Sequence, residues 1–168
     1  RHGTAAAEIV HDMAPGAMIH LICIADEVGL AQALSYVQGL KAAGARVIVS
    51  HSIAWFLTSR GDGSGAAGTP DAIVRAAAAS GILWVNAAGN HGLLHWGGPL
   101  RLSGSWHLWS GGDLANTVSV APGATLRVRL KWDEWTSGIS TDLDLYLYPH
   151  DGGPALASSA GRQSGTAR

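Results

Sequence analysis

The residues best suited to chemistry are a histidine at the start of a helical stretch and an asparagine that follows an apolar run. His2 precedes Gly3 and an alanine-rich segment that favours a helix. Because the positive end of a helix disfavours a cationic imidazole, His2 would stay neutral and available as a general base. Asn90 follows Val85 and several small residues, where its amide is suited to donate a hydrogen bond to an oxyanion. A base and an oxyanion donor are two of the groups that a peptide-cleaving site requires.

Each of these residues also has a plainer interpretation. A histidine at a helix start is often a surface residue, and the tripeptide His2-Gly3-Thr4 alone favours that interpretation. An asparagine before His91-Gly92 is a common turn arrangement. The functional interpretation therefore depends on the longer motifs in which the two residues lie.

Those longer motifs resemble two sequence blocks of the subtilisin-like serine proteases (subtilases, peptidase family S8). The first block runs from His2 through Ala7-Glu8-Ile9-Val10 to Ala14-Pro15-Gly16-Ala17, and the second is Val85-Asn86-Ala87-Ala88-Gly89-Asn90. The resemblance implies a serine endopeptidase in which His2 is the general base and Asn90 the oxyanion donor. The family's aspartate block and its Gly-Thr-Ser block have no counterpart in the sequence, so we expect a fragment of such an enzyme that is inactive alone.

Two further segments are implied to bind substrate. Subtilases pair an extended polypeptide substrate with a strand edge that often ends in Ser-x-Gly, and Ala54 stands here where many members have that glycine. The extra methyl group is expected to narrow the adjacent subsite. The residues predicted to line the substrate groove are Ser52, Ile53, Ala54, Ala87, Ala88 and Gly89.

The elements that would position these residues alternate along the first half of the chain. Apolar periodicity and stop signals predict helices over 4–13, 28–43 and 70–80, and strands over 18–24, 47–53 and 82–87. Alternating strands and helices indicate a parallel sheet with crossover connections. The predicted fold class is α/β, with residues 1–92 as a partial, subtilisin-like three-layer catalytic domain.

The pattern changes after Gly92. Five of the seven tryptophans lie beyond this residue, and the segments 126–132 and 142–148 alternate apolar with polar residues, as half-buried strands do. Residues 103–168 are therefore predicted to form an antiparallel β-sandwich-like module. The module resembles prepeptidase C-terminal-type domains, which some subtilases carry as an insert after the asparagine block.

Metal and cofactor motifs are weak, and no cofactor is predicted. The Gly63–Gly68 stretch matches G-x-G-x-x-G but does not directly follow a strand, which argues against nucleotide binding. His2 and His11 would lie on opposite helix faces, which argues against zinc. Asp142 and Asp144 share one strand face, where calcium binding and simple solvation both remain open.

The composition of the chain limits the classes of partner that it is expected to bind. With 47% hydrophobic and 14% charged residues and a net charge of −1, the chain has no basic footprint for nucleic acid, and no apolar run predicts a membrane helix. The single Cys23, between two isoleucines, is predicted to be buried. The family resemblance favours an extracellular location. The alternative function is a non-catalytic protein with a subtilase scaffold that binds protein or glycan through its aromatic β module.

Overall fold

The computed structural model describes residues 2–56, 58–135, 138–163 and 165–166. The chain is mixed α/β and divides into two compact units between Asn90 and His91. The helices are α1 (His2–Met13), α2 (Glu27–Ala42) and α3 (Pro70–Ala79). The strands are β1 (Ile48–His51), β2 (Leu83–Asn86), β3 (Leu102–Ser103), β4 (Trp106–His107), β5 (Gly138–Ile139), β6 (Leu145–Leu147), β7 (Ala157–Ser159) and β8 (Gly165–Thr166). A short 3-10 turn occupies Ser110–Gly112.

The first unit is built around one pair of parallel strands. Strand β1 pairs with β2 in a register that runs from Ile48 opposite Leu83 to His51 opposite Asn86. The parallel pairing predicted for the second and third strands is confirmed, although both strands are shorter than predicted. Helices α2 and α3 pack together beside this pair, and α3 also contacts β2. The buried core consists of Leu30, Leu34, Val37, Ile73, Ala77 and Ile82.

The predicted strand over 18–24 is wrong. The segment has no regular structure, Met18 is 84% exposed and Leu21 is 67% exposed. Cys23 is also exposed, so its predicted burial is wrong as well. An apolar run becomes a strand only where a neighbouring strand satisfies its backbone, and within the described residues β1 and β2 pair only with each other.

Helix α1 forms at the predicted place but does not pack. It begins at His2 and ends at Met13, just before the turn at Pro15-Gly16. None of its residues is buried, and in the described part of the chain it contacts no other helix or strand. Its existence therefore depends on local helix propensity and not on burial of an apolar face.

The described part of the second unit contains three antiparallel strand pairs, β3 with β4, β5 with β8, and β6 with β7. From Thr141 to His150 the side chains alternate between half-buried and exposed, as predicted, although only Leu145–Leu147 is hydrogen-bonded as a strand. The predicted strand over 126–132 is wrong, because that segment has no strand pairing and Val128 is 52% exposed. Residues 136–137, 164 and 167–168 of the predicted module lie outside the described residues.

The glycine-rich loop before α3 is fixed by an internal carboxylate. The amides of Gly63 and Gly65 each donate a hydrogen bond of 3.2 Å to Asp71 Oδ2. The Thr69 hydroxyl lies 2.7 Å from Asp71 Oδ1, and although Thr69 stands at the N-cap position of α3, its side chain makes no capping hydrogen bond. A side chain at position 65 would overlap the oxygens of Asp71 and Thr69, which explains why glycine stands there. Since Asp71 occupies these two amides, they are not free to hold a phosphate.

Asp71 gives the first unit a predictable acid sensitivity. Burial raises the pKa of its carboxyl, but hydrogen bonds from Thr69, Ser59, Gly65 and Ala72 outweigh burial and lower the pKa from 3.8 to about 2. A depressed folded-state pKa contributes stability above the unfolded pKa, and this stability is lost as the pH falls through the folded pKa. We expect Asp71 to contribute about 1 kcal/mol after allowance for its partial exposure, lost between about pH 4 and pH 2.

The measurement is urea unfolding of the wild type and Asp71→Asn from pH 6 down to pH 2. The stability difference between the two should shrink as the pH falls through this window. Asp12→Asn, at an exposed position of α1, is the matched control and should track the wild type. A wild-type advantage over Asp71→Asn that stays constant across the window would contradict the assignment.

Candidate functional site at the ends of the parallel strands

The two segments predicted to bind substrate leave the sheet side by side. Strands β1 and β2 end at the paired residues His51 and Asn86, and the Ala87 amide donates a further hydrogen bond of 2.9 Å to the His51 carbonyl. Beyond this point, a Cβ placed on Gly89 would lie 3.9 Å from the Ala54 Cβ. Gly89 has a φ of +85°, a conformation that favours glycine. The edge thus brings together the segments 52–54 and 87–89.

All of these residues are accessible. Ser52, Ile53 and Ala54 are exposed on one side of the edge. Ala87, Ala88 and Gly89 are exposed on the other. The carboxyl ends of parallel strands are where α/β sheets generally bind ligands. The roles assigned to the six residues remain predictions, but the geometry places the two exposed segments side by side.

Asn90 ends the second of these segments. Its side chain is exposed, and within the described residues it forms no hydrogen bond. An amide that is not used in the fold is available to a ligand, and an oxyanion donor must have this property. Asn90 therefore has the accessibility that its predicted role requires.

His2 is not joined to this edge by any contact that the structure gives. It lies exposed at the start of α1, and among the described residues α1 contacts neither β1 nor β2. The prediction that His2 and Asn90 border one cleft therefore stays a prediction. Among the described helices and strands, no packing contact determines the position of α1 relative to this edge.

Sequence reasoning missed a buried histidine at this edge. His51 is only 7% exposed, and its Nδ1 lies 2.5 Å from Asn86 Oδ1. The Trp55 indole donates a hydrogen bond of 3.4 Å to His51 Nε2, which makes Nε2 the acceptor and Nδ1 the protonated nitrogen. Asn86 is oriented in turn by its own amide, whose Nδ2 donates to the Ala87 carbonyl at 2.8 Å. The tautomer and the amide orientation follow from this hydrogen-bond network.

Two tryptophans enclose the imidazole. The Trp55 ring lies nearly parallel to it, with centroids 6.3 Å apart, and the Trp84 ring meets it edge-on at 5.4 Å. Both tryptophans also pack against the core of the first unit. His51 therefore ties the strand ends to the core, next to the point where both exposed segments begin. The sequence offered one signal for it, a histidine inside a β-branched run, but its partner Asn86 becomes visible only once the strand register is known.

The two aspartates considered for calcium binding, Asp142 and Asp144, form local hydrogen bonds. Asp142 Oδ1 accepts from the Gln163 amide at 2.9 Å, and Asp144 Oδ2 accepts from the Tyr146 hydroxyl at 3.1 Å. No group of three or more histidine, cysteine, aspartate or glutamate residues that could hold a metal ion occurs in the ranges that the structure describes. For Asp142 and Asp144, calcium binding and simple solvation stay the two alternatives that the sequence left open. Of the described helices, none is both long and apolar enough to cross a membrane.

Comparisons of the chain with protein-family models, with curated proteins and with solved structures found no match.

The two asparagines of this edge should differ in their effect on stability. Asn86→Ala removes the acceptor of the buried His51 Nδ1–H, so we expect the free energy of unfolding to fall by about 1–2 kcal/mol. Asn90→Ala removes a side chain without a hydrogen-bond partner in the described chain and should change stability by no more than about 0.5 kcal/mol. Urea unfolding of the two variants provides the comparison. Equal losses would show that the His51–Asn86 hydrogen bond contributes nothing to the edge.

Proposed function

We propose that this chain is part of a serine endopeptidase of the subtilase type. The observation that supports the proposal most directly is the edge formed by β1 and β2, which presents two exposed segments side by side. These are the segments that the resemblance assigns to substrate binding, and Asn90 directly follows one of them. In this proposal the first unit is part of a three-layer catalytic domain, and the second belongs to a β-sandwich-like insert.

The chemistry assigned to the edge is acyl transfer. An extended polypeptide would pair with the backbone beside Ser52–Ala54, so that its scissile carbonyl lies near Asn90. The Asn90 amide would then donate a hydrogen bond to the oxyanion of the tetrahedral intermediate. In such sites this interaction lowers the activation free energy by about 3–4 kcal/mol. His2 would take the proton from a serine nucleophile and return it to the leaving amine.

The nucleophile and the aspartate that orients the base have no counterpart in the printed sequence. A catalytic triad acts as a unit, and a histidine without a serine has nothing to activate. The catalytic proposal therefore concerns a polypeptide in which this chain is combined with an aspartate block and a Gly-Thr-Ser block.

A non-catalytic role remains the second candidate, and a separate observation favours it. Exposed aromatic side chains cluster on the second unit, with Trp106, Tyr146 and Tyr148 each within 6.4 Å of the next ring. Exposed apolar clusters of this kind often mark interaction surfaces. The two candidates are separated by the presence or absence of peptidase activity in a polypeptide that carries all three catalytic blocks.

The 168-residue chain alone should not react with a fluorophosphonate probe, because no serine in its sequence lies in a Gly-Thr-Ser block, which carries the activated nucleophile in subtilases. Intact-mass spectrometry after incubation with the probe is the measurement, with an active subtilase as the positive control. Stoichiometric labelling of any serine in the chain would show that the nucleophile has been misplaced.

In a polypeptide that joins this chain to the two other blocks, Asn90→Ala should lower kcat by about 100- to 1,000-fold with little change in KM. His2→Ala should lower kcat by about 10,000-fold or more. Turnover of a denatured protein substrate is the assay. His11→Ala is the matched control, since His11 lies on the opposite face of α1 and should leave turnover unchanged. Undiminished turnover in His2→Ala would exclude His2 as the base.

A further inference from the structure

The exposed rings of the second unit form a defined cluster. Trp106 on β4 lies 6.1 Å from Tyr146 and 6.4 Å from Tyr148, measured between ring centroids. The two tyrosines lie 6.2 Å apart. Trp106 is 46% exposed, Tyr146 38% and Tyr148 46%. We call these three residues the ring cluster, and they combine a large apolar surface with ready access from solvent.

The rings do not form a flat platform. The Trp106 ring is tilted by 64° and 67° to the two tyrosine rings, whereas the tyrosines lie within 29° of each other. The tyrosines are two residues apart and point to the same side of the chain. The cluster therefore presents two neighbouring rings in similar orientation with a third ring set across them, which is an aromatic-lined notch.

The same face of the chain carries negative charge at one end. Asp142 and Asp144 precede the two tyrosines at alternate positions and are exposed on the same side. The Tyr146 hydroxyl donates a hydrogen bond to Asp144 Oδ2 at 3.1 Å, which holds one carboxylate beside the rings. A ligand that lies along this face would meet two carboxylates and then the ring cluster.

Unused hydrogen-bond donors complete the surface. Within the described chain the structure gives no hydrogen bond to the Trp106 indole nitrogen or to the Tyr148 hydroxyl, and both side chains are exposed. Donors on half-exposed aromatic rings suit a ligand that offers carbonyl oxygens together with apolar surface.

From these observations we propose that the ring cluster binds an extended, proline-containing peptide segment that carries a basic residue next to its prolines. A polyproline II helix has no internal hydrogen bonds, so its carbonyl groups are free to accept from Trp106 and Tyr148. Each residue advances the helix by about 3 Å along its axis, so two residues advance it by about 6 Å, which is close to the spacing of the two tyrosine rings. Aromatic-lined grooves are the usual sites for such segments.

Charge complementarity favours a peptide over the other polymers that stack on aromatic rings. A lysine or arginine of the ligand would pair with Asp142 or Asp144. A nucleic acid would bring phosphates to these same carboxylates and be repelled. A neutral glycan would gain nothing from the two charges, and the tilted Trp106 ring interrupts the flat surface on which a sugar face would stack. The proposal is independent of proteolysis, because it involves no residue of the first unit.

The test is titration of the 168-residue chain with a peptide of about eight prolines flanked by arginines, a length that gives several turns of polyproline II helix. Isothermal titration calorimetry measures affinity, and the NMR signal of the Trp106 indole reports where the peptide binds. Tyr148→Ala should weaken binding at least about tenfold, and Asp144→Asn about fivefold. Raising the salt concentration should weaken binding by the wild type more than binding by Asp144→Asn.

The matched control is Tyr36→Ala. Tyr36 lies on α2 of the first unit and is 48% exposed, against 46% for Tyr148, so a general effect of removing an exposed tyrosine would show in both variants. Tyr148→Leu keeps the apolar bulk but not the ring and serves if Tyr148→Ala does not fold. Control ligands are the same peptide with glutamates in place of the arginines, a neutral oligosaccharide of glucose units, and oligothymidylate.

Each outcome decides the proposal. Arginine-peptide binding that Tyr148→Ala or Tyr148→Leu weakens and Tyr36→Ala does not would support it. Equal binding by wild type and both Tyr148 variants would overturn it, as would absence of binding to the arginine peptide. Binding of the oligosaccharide alone, lost in the Tyr148 variants, would replace the peptide with a glycan. Equal affinity for the arginine and glutamate peptides would remove the role of the carboxylates and overturn the proposal in this form.

Discussion

The pairing of β1 with β2 is the interaction on which the candidate site depends. Four residues of each strand are held in parallel register, and the core side chains of α2 and α3 pack beside them. Because both strands run in the same direction, their carboxyl ends meet, and the segments that follow each strand must start side by side. A shift in register by one residue would separate His51 from Asn86 and would turn every following side chain to the other face. The side-by-side start of the two segments is therefore a consequence of strand register.

A second constraint is the amount of apolar surface left in contact with solvent. Two compact bodies of about half the chain's mass each would expose roughly 9,400 Å² in total, whereas this chain exposes 12535 Å². Large apolar side chains are among the exposed residues, and in the segment 18–24 Met18 is 84% exposed and Leu21 67%. Large apolar side chains exposed together often mark surfaces that contact further polypeptide. This surface supports the proposal that the first unit is one part of a larger catalytic domain.

The features that the sequence predicted well have local causes. The helices lie within two residues of their predicted bounds at most ends, because Pro15-Gly16 terminates α1 and Pro70 is suited to the first position of α3. The alternation through Tyr146 and Tyr148 was also readable, since strand side chains alternate whether or not every residue is paired. The same signals do not place His2 relative to Asn90, because that distance depends on the packing of α1.

The features that the sequence missed depend on distant neighbours. The segments 18–24 and 126–132 have strand-like patterns but no partner strand within the described residues, and a pattern alone does not supply the backbone hydrogen bonds that make a strand. The His51–Asn86 hydrogen bond joins residues 35 positions apart and becomes visible only with the strand register. Local signals thus predicted where the candidate edge lies, whereas the His51–Asn86 hydrogen bond at this edge depends on strand pairing.

His51 also links the stability of the first unit to the geometry of its edge. Its ring is enclosed by Trp55 and Trp84, and both tryptophans pack against the core side chains of α2 and α3. A change that loosens this core would let the tryptophans move, and the imidazole would then lose the contacts that orient it toward Asn86. The exposed segments on either side carry no buried side chains of their own, and Ala87 is held to the end of β1 by its hydrogen bond to the His51 carbonyl. The buried imidazole therefore connects the small core to an otherwise exposed edge.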